Sequence, residues 1–182
     1  MAKLVSKTYG DALFEVALEK GEVTSFAEEA KAVIEAFAAN EELFKLLNHP
    51  KITKEEKIRV VKNIFKGRIS DEMTEFLVLV VTKGRHNDIQ SILEYFLDRY
   101  REHEKIGVAY VSTPLELSEA NKDAVLKKLL ETTDYVEFEM HYNVDPALIG
   151  GMVIRIGDRV VDSSIKTKLE DLSKKLKNVQ LA

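Results

Sequence analysis

The chain of 182 residues has no cysteine. Disulfides, thiolate metal sites and a cysteine nucleophile are excluded at once, which fits a reducing compartment. Tryptophan is absent too, and with 32% charged residues this hints at heat adaptation. Basic charge is not in excess: the formal net charge of −4 argues against a general nucleic-acid binder, because neutralising phosphate needs a cationic surface. Long hydrophobic runs are lacking as well. The longest, Phe76-Leu-Val-Leu-Val-Val81, falls well short of the roughly 18 apolar residues of a membrane helix. The opening ten residues, Met1 to Gly10, hold no apolar stretch of the secretory kind. The chain is therefore expected neither to insert into a membrane nor to carry a leader.

What is there is a core-forming composition, 45% hydrophobic, laid out with two different periods. From Leu4 to about Glu104 the apolar spacing is helical, and it predicts six helices near 4–20, 24–39, 41–48, 54–66, 71–83 and 87–104. Capping-box spacings stand at Ser25-x-x-Glu28, Thr53-x-x-Glu56 and Asn87-x-x-Gln90, and Asn40 and Ser70 suit further N-caps. Gly21, Pro50, Gly67 and Gly84 read as stops. After Lys105 the period shortens. Gly107–Pro114 reads as a strand, as does Tyr135–Tyr142, with Val136, Phe138, Met140 and Tyr142 on one side. Ser118–Thr132 between them reads as a helix with Val125, Leu126, Leu129 and Leu130 inward. Gly151–Ile156 and Arg159–Val161 form a strand pair across Gly157-Asp158, a tight-turn signal, and a last helix starts at Ser164. The expected fold class is multidomain α + α/β: an N-terminal six-helix bundle over 1–105, followed by a small α/β domain over 106–182.

The chemistry-bearing candidates are sparse. Gly150, Gly151 and Gly157 match neither the dinucleotide fingerprint nor the phosphate loop, and Asp158 brings negative charge where a phosphate would sit. They are read as structural turn residues: Gly150-Gly151 for a bulge or close backbone approach, Gly157-Asp158 for the hairpin. His49, His86, His103 and His141 are scattered without metal-ligand spacing, so no metal or cofactor is expected. The acid pairs Glu28-Glu29, Glu41-Glu42 and Glu55-Glu56 suit helix starts and polar faces, and Arg68 and Arg85 suit helix C-termini, better than catalysis or anion binding. Apolar surface is in excess. On the first helix Val5, Tyr9, Ala12 and Val16 form one stripe while Phe14 points almost oppositely, and Phe76 to Val81 cover most of the fifth helix. Either a central helix is buried on all sides, or each helix gives a second face to a partner's helix.

Beyond these periods lies a family likeness. Ile149-Gly-Gly-Met-Val-Ile-Arg-Ile-Gly-Asp158, followed by Val160-Val-Asp-Ser-Ser-Ile-Lys-Thr-Lys-Leu169, closely resembles the signature of the delta (OSCP) subunit family of F-type ATP synthases. Tyr9-Gly-Asp-Ala-Leu-Phe-Glu-Val-Ala17 and Thr82-Lys-Gly-Arg85 are similar to that family as well. Gly10, Ser163 and Lys166 depart from it, standing where alanine, glycine and arginine are more usual. The resemblance implies a non-catalytic stator of bacterial type, one copy per complex, peripheral on the cytoplasmic face of the plasma membrane, in an enzyme that couples ATP synthesis to proton transport. It implies that the N-terminal domain holds the N-terminal helix of the F1 alpha subunit, with Tyr9, Ala12, Leu13, Phe76, Leu79 and Val80 as contacts in a groove between the first and fifth helices. It implies that the C-terminal domain holds the C-terminal end of the peripheral-stalk b subunit. The competing expectations are a small nucleotide- or phosphate-binding enzyme using Gly150, Gly151 and Arg155, and a helical adaptor of another kind.

Overall fold

The computed structural model of the chain describes residues 2–49 and 52–179. The chain divides into two compact units, Met1–His103 and Glu104–Ala182. In the first lie α1 (Ala2–Lys20), α2 (Val23–Ala39), α3 (Glu41–Asn48), α4 (Lys54–Phe65), α5 (Asp71–Thr82) and α6 (Ile89–Glu104), with a 3-10 turn at His86–Asp88. Each is amphipathic or apolar enough that its buried stripe must find others, and the stripes meet in one core around Phe26, Leu47, Val61, Met73, Leu77, Ile92 and Phe96, all fully buried. Each such side chain contributes about 1.5–3 kcal/mol by leaving water.

The helix starts divide the capping spacings. At Thr53 the box is complete: its hydroxyl accepts from Glu56 N–H (3.3 Å) and its own N–H donates to the Glu56 carboxylate (3.1 Å). The other two boxes do not form. Val23 is drawn into the core, so α2 begins ahead of Ser25, and Asn87 falls inside the 3-10 turn. Asn40 closes the end of α2 instead of capping α3, its amide donating to Ala36 C=O (2.9 Å). Ser70 caps α5 by accepting from Met73 N–H (3.2 Å), and it also donates to Glu29 of α2 through its hydroxyl (2.7 Å) and its N–H (2.9 Å). Glu29 is thus a clasp between two helices and not a helix-start acid. Pro50 lies outside the described residues.

The second unit runs β1 (Ile106–Thr113), α7 (Glu119–Thr132), β2 (Glu137–Val144), a 3-10 turn at Pro146–Leu148, β3 (Val153–Ile156), β4 (Arg159–Asp162) and α8 (Ile165–Val179). The strand order is β2-β1-β3-β4. β1 and β2 are parallel, with Ala109 opposite Met140, and the crossover between them is α7. β3 is antiparallel to β1 and to β4. Ala109, Phe138, Met140, Ile154 and Ile156 line one sheet face, and Val125, Leu126 and Leu129 of α7 cover it. Leu130 does not join them. It lies about 100° round the helix from Leu129, beyond the reach of so narrow a sheet, and stays exposed. Val136 leaves the alternating set because β2 begins only at Glu137, and its side chain is 72% exposed.

Candidate partner-binding surfaces

In the first unit α1 is held from one side. Leu13, Phe14 and Ala17 are in the core, and Asp11 takes a hydrogen bond from the Tyr95 hydroxyl (3.1 Å) and an ion pair from Arg99 (3.4 Å), both on α6. Burial and then the Asp11 hydrogen bond push the Tyr95 phenol up from its ordinary value, so it stays a neutral donor. The adjoining stripe lies at the core's edge: Val5 and Tyr9 are half-buried and pack against the core, while Ala12 and Val16 are exposed. On α5, Met73, Leu77, Val80 and Val81 face the core, Phe76 and Val78 are half-buried, and Leu79 is 47% exposed. Lys20 at the end of α1 pairs with Glu72 at the start of α5, so the two helices are tied at those ends.

The six expected contacts therefore separate. Tyr9, Ala12, Phe76 and Leu79 are reachable from outside. Leu13 and Val80, at 2% and 0% exposure, are not. They are corrected to core residues, because each lies on the inward side of its helix and its side chain is already spent on helix packing. Periodicity could not make that division, since neighbouring apolar residues on a crowded helix differ only by about 100° of rotation.

In the second unit the glycine string forms a joint. Ile149 has φ +66° and ψ −44°, and Gly150 N–H donates across it to Leu148 C=O (2.7 Å), which is a γ-turn of the rare positive-φ kind. Gly151 has φ +77°, and a Cβ there would meet the Ser163 carbonyl oxygen at 2.5 Å. Gly157, φ +55°, and Asp158 make the β3–β4 turn. Ser163 returns to the joint by donating from its N–H (3.0 Å) and hydroxyl (2.9 Å) to Met152 C=O, and Ile165 N–H donates to Gly150 C=O (2.9 Å). The start of α8 is then capped: Asp162 accepts from Ser164 N–H (2.8 Å) and the Thr167 hydroxyl (2.7 Å), while the Ser164 hydroxyl accepts from Thr167 N–H (3.2 Å). Those hydrogen bonds, the Ser164 amide first, hold the Asp162 carboxyl below the usual range. The N–H groups of Gly150, Ser163, Ser164 and Ile165 are turned to Leu148, Met152, Asp162 and Gly150, so each is engaged within the chain. Sequence reading missed the cap, although Ser164-x-x-Thr167 behind an aspartate carries its signal.

Arg155 is not part of that joint. Its guanidinium lies 5.3 Å from the centre of the Tyr110 ring, and His141 stacks on the same ring at 4.9 Å. With Ser112, Asn143, Val153 and Val160 they line a shallow depression of about 410 Å³ on the sheet face away from α7. The other histidines are separate: His103 meets Phe14 edge-on at 5.6 Å, and His86 sits in the 3-10 turn. Arg85 pairs with Asp88 at 3.8 Å instead of with helix carbonyls. Among the described residues no group of His, Asp and Glu could hold a metal ion, and no helix is long and apolar enough to cross a membrane.

These features define a class of protein: a two-unit, helix-rich protein with apolar residues exposed on α1, α5 and α8. The family profile described as "ATP synthase delta (OSCP) subunit" matches residues 5–176. The chain is 59% identical to the ATP synthase subunit delta of Lachnoclostridium phytofermentans over 181 residues, covering 100% of both chains, and 38% identical to that of Desulforamulus reducens, covering 94% of both. A chain in the mitochondrial ATP synthase hexamer of Toxoplasma gondii shares the fold with a TM-score of 0.73 at 19% identity, over 94% of this chain and 96% of that one. The chain belongs to the ATP synthase delta (OSCP) subunit family. It is a structural, non-catalytic stator component of F-type ATP synthase, and the phosphate-binding enzyme has no support.

Proposed function

We propose that the chain links F1 to the peripheral stalk by two separate grips, with α1–α6 acting as one six-helix bundle. The first unit receives an amphipathic N-terminal helix of an F1 alpha subunit across Tyr9, Ala12, Phe76 and Leu79; the second holds the C-terminal end of the b subunit. One copy serves each complex, on the cytoplasmic face of the plasma membrane. The observation that carries the first grip is that apolar surface stays exposed beside the buried stripes of both helices, at Ala12 and Val16 on α1 and Leu79 on α5, with Tyr9 and Phe76 half-buried at the edge of the core. A stator must resist torque without turnover, and apolar contact suits this because salt does not screen it as it screens surface ion pairs. Ala12 is small and exposed, so an incoming helix can lie close to α1 there.

Ala12→Asp tests the reading. A charge placed in a contact that must dry typically costs several kcal/mol unless paired. Affinity for an alpha N-terminal peptide, measured by calorimetry, should fall by at least about a hundredfold, which is about 2.7 kcal/mol, while the melting temperature of the same sample stays put. Undiminished binding by the folded variant would refute the assignment.

A further inference from the structure

The last helix carries a second docking surface, of a different chemistry. Ile165, Leu169, Leu172 and Leu176 stand four, three and four residues apart and are 43%, 52%, 54% and 61% exposed. This is the a/d spacing of a coiled-coil seam, and the stripe is narrow, where a helix lying on a membrane presents a broad apolar face with aromatic anchors. Its flanks are cationic. Lys168 and Lys175 run along one side, Lys166 and Ser173 along the other, and the acids Glu170 and Asp171 are turned to the back of the helix. Asp171 is engaged there by Lys174 (3.9 Å), whereas Lys168 and Lys175 form no ion pair among the described residues.

We propose that α8 is one strand of a two-helix coiled coil whose other strand is a partner protein's amphipathic helix with apolar residues in the same spacing and Glu or Asp at its flanking positions. Charge complementarity selects this occupant: flanking residues set partner choice in coiled coils, and lysines on the flanks favour carboxylates opposite. A second copy of the chain is disfavoured, since antiparallel pairing would set Lys168 against Lys175. The joint built by Gly151, Ser163 and the Asp162–Ser164–Thr167 cap gives the seam a rigid root, which lowers the ordering cost of binding. The inference deepens the stator reading, in which the b subunit supplies that helix.

The test titrates the full chain with two synthetic helical peptides, leucine-seamed in the same spacing and flanked either by glutamate or by lysine. The glutamate peptide should bind at least about tenfold more tightly than the lysine peptide, the double variant Lys168→Glu/Lys175→Glu should reverse that order, and Leu169→Asp should abolish binding. Circular dichroism and melting temperature on each variant check that the fold is intact. Equal binding of both peptides, undiminished binding by Leu169→Asp, no binding of either, adsorption to anionic vesicles in place of peptide binding, or self-association that Leu169→Asp removes would each overturn the proposal. A peptide from the C-terminal end of the b subunit is titrated in parallel. If wild type and Leu169→Asp bind it equally, the α8 seam is overturned while the stator reading stands. If wild type ignores it yet discriminates between the synthetic peptides, the seam stands and the assignment of b fails.

Discussion

The two units are stabilised in different ways. Among the described residues the first gathers twenty-one buried apolar side chains into one cluster, while the cluster between the sheet and α7 of the second holds three, Ala109, Leu129 and Phe138, with Val111 and Leu148 buried outside it. The second unit therefore depends more on its strand ladder and on the polar joint that roots α8. The contrast shows where each unit leaves apolar surface exposed. The first has more apolar surface than its core uses and shows the remainder on α1 and α5. The second leaves nearly a whole amphipathic helix outside its core.

The sharpest way to break this contrast is to damage one unit and watch the other. Phe26→Ala removes a fully buried ring from the first core and should cost about 3–5 kcal/mol. Amide hydrogen exchange should show the loss confined to α1–α6; if protection in β1–β4 falls equally, the units are not independent. Gly151→Ala should cost about 2–3 kcal/mol in the second unit, because it combines positive φ with a clash on the Ser163 carbonyl. Its exchange signature should appear at β3, β4 and α8, and unchanged exchange there would show that the joint is not structural. Ser164→Ala should fray α8 by about 1 kcal/mol through the lost cap, visible as faster exchange in its first turns. Ile149→Gly should act oppositely, raising the melting temperature of the second unit by relieving about 1 kcal/mol of γ-turn strain.

The smallest effect distinguishes the units by pH. His86 is held below its ordinary value chiefly by burial and then by the Lys57 charge, and its Nδ1 is buried without a partner. The unfolded chain binds that proton more readily, so the first unit begins to lose stability as pH falls below about 6.5. Asp162 is depressed in the same sense, so its contribution to α8 is present above about 3.9 and is lost as pH falls further through the folded value. Exchange measured along an acid titration should soften α6 before α8. The reverse order would refute both assignments.

Legibility followed the range of the interactions. Thr53-x-x-Glu56 and the α5 cap at Ser70 were readable because cap and partner lie within one turn of chain. Ser25 and Asn87 carry the same spacing and fail, because core packing at Val23 and the 3-10 turn decide where those helices begin. The family signature was visible as letters, but its physical content was not. Gly151 and Ser163 matter because the chain returns to itself across the hairpin, which no local pattern announces, whereas the Asp162–Ser164–Thr167 cap is local and its spacing carries the signal.

By itself the sequence determined the change of period near Lys105, the identity of nearly every helix and strand, and the family, because these rest on local propensity and on a long ordered string. Only the tertiary structure decided that β1 and β2 pair in parallel, that Leu13 and Val80 are core while Ala12 and Leu79 are surface, and that the α8 leucines stay uncovered. Periodicity says which residues share a face. Which faces are covered depends on what else the chain brings to them.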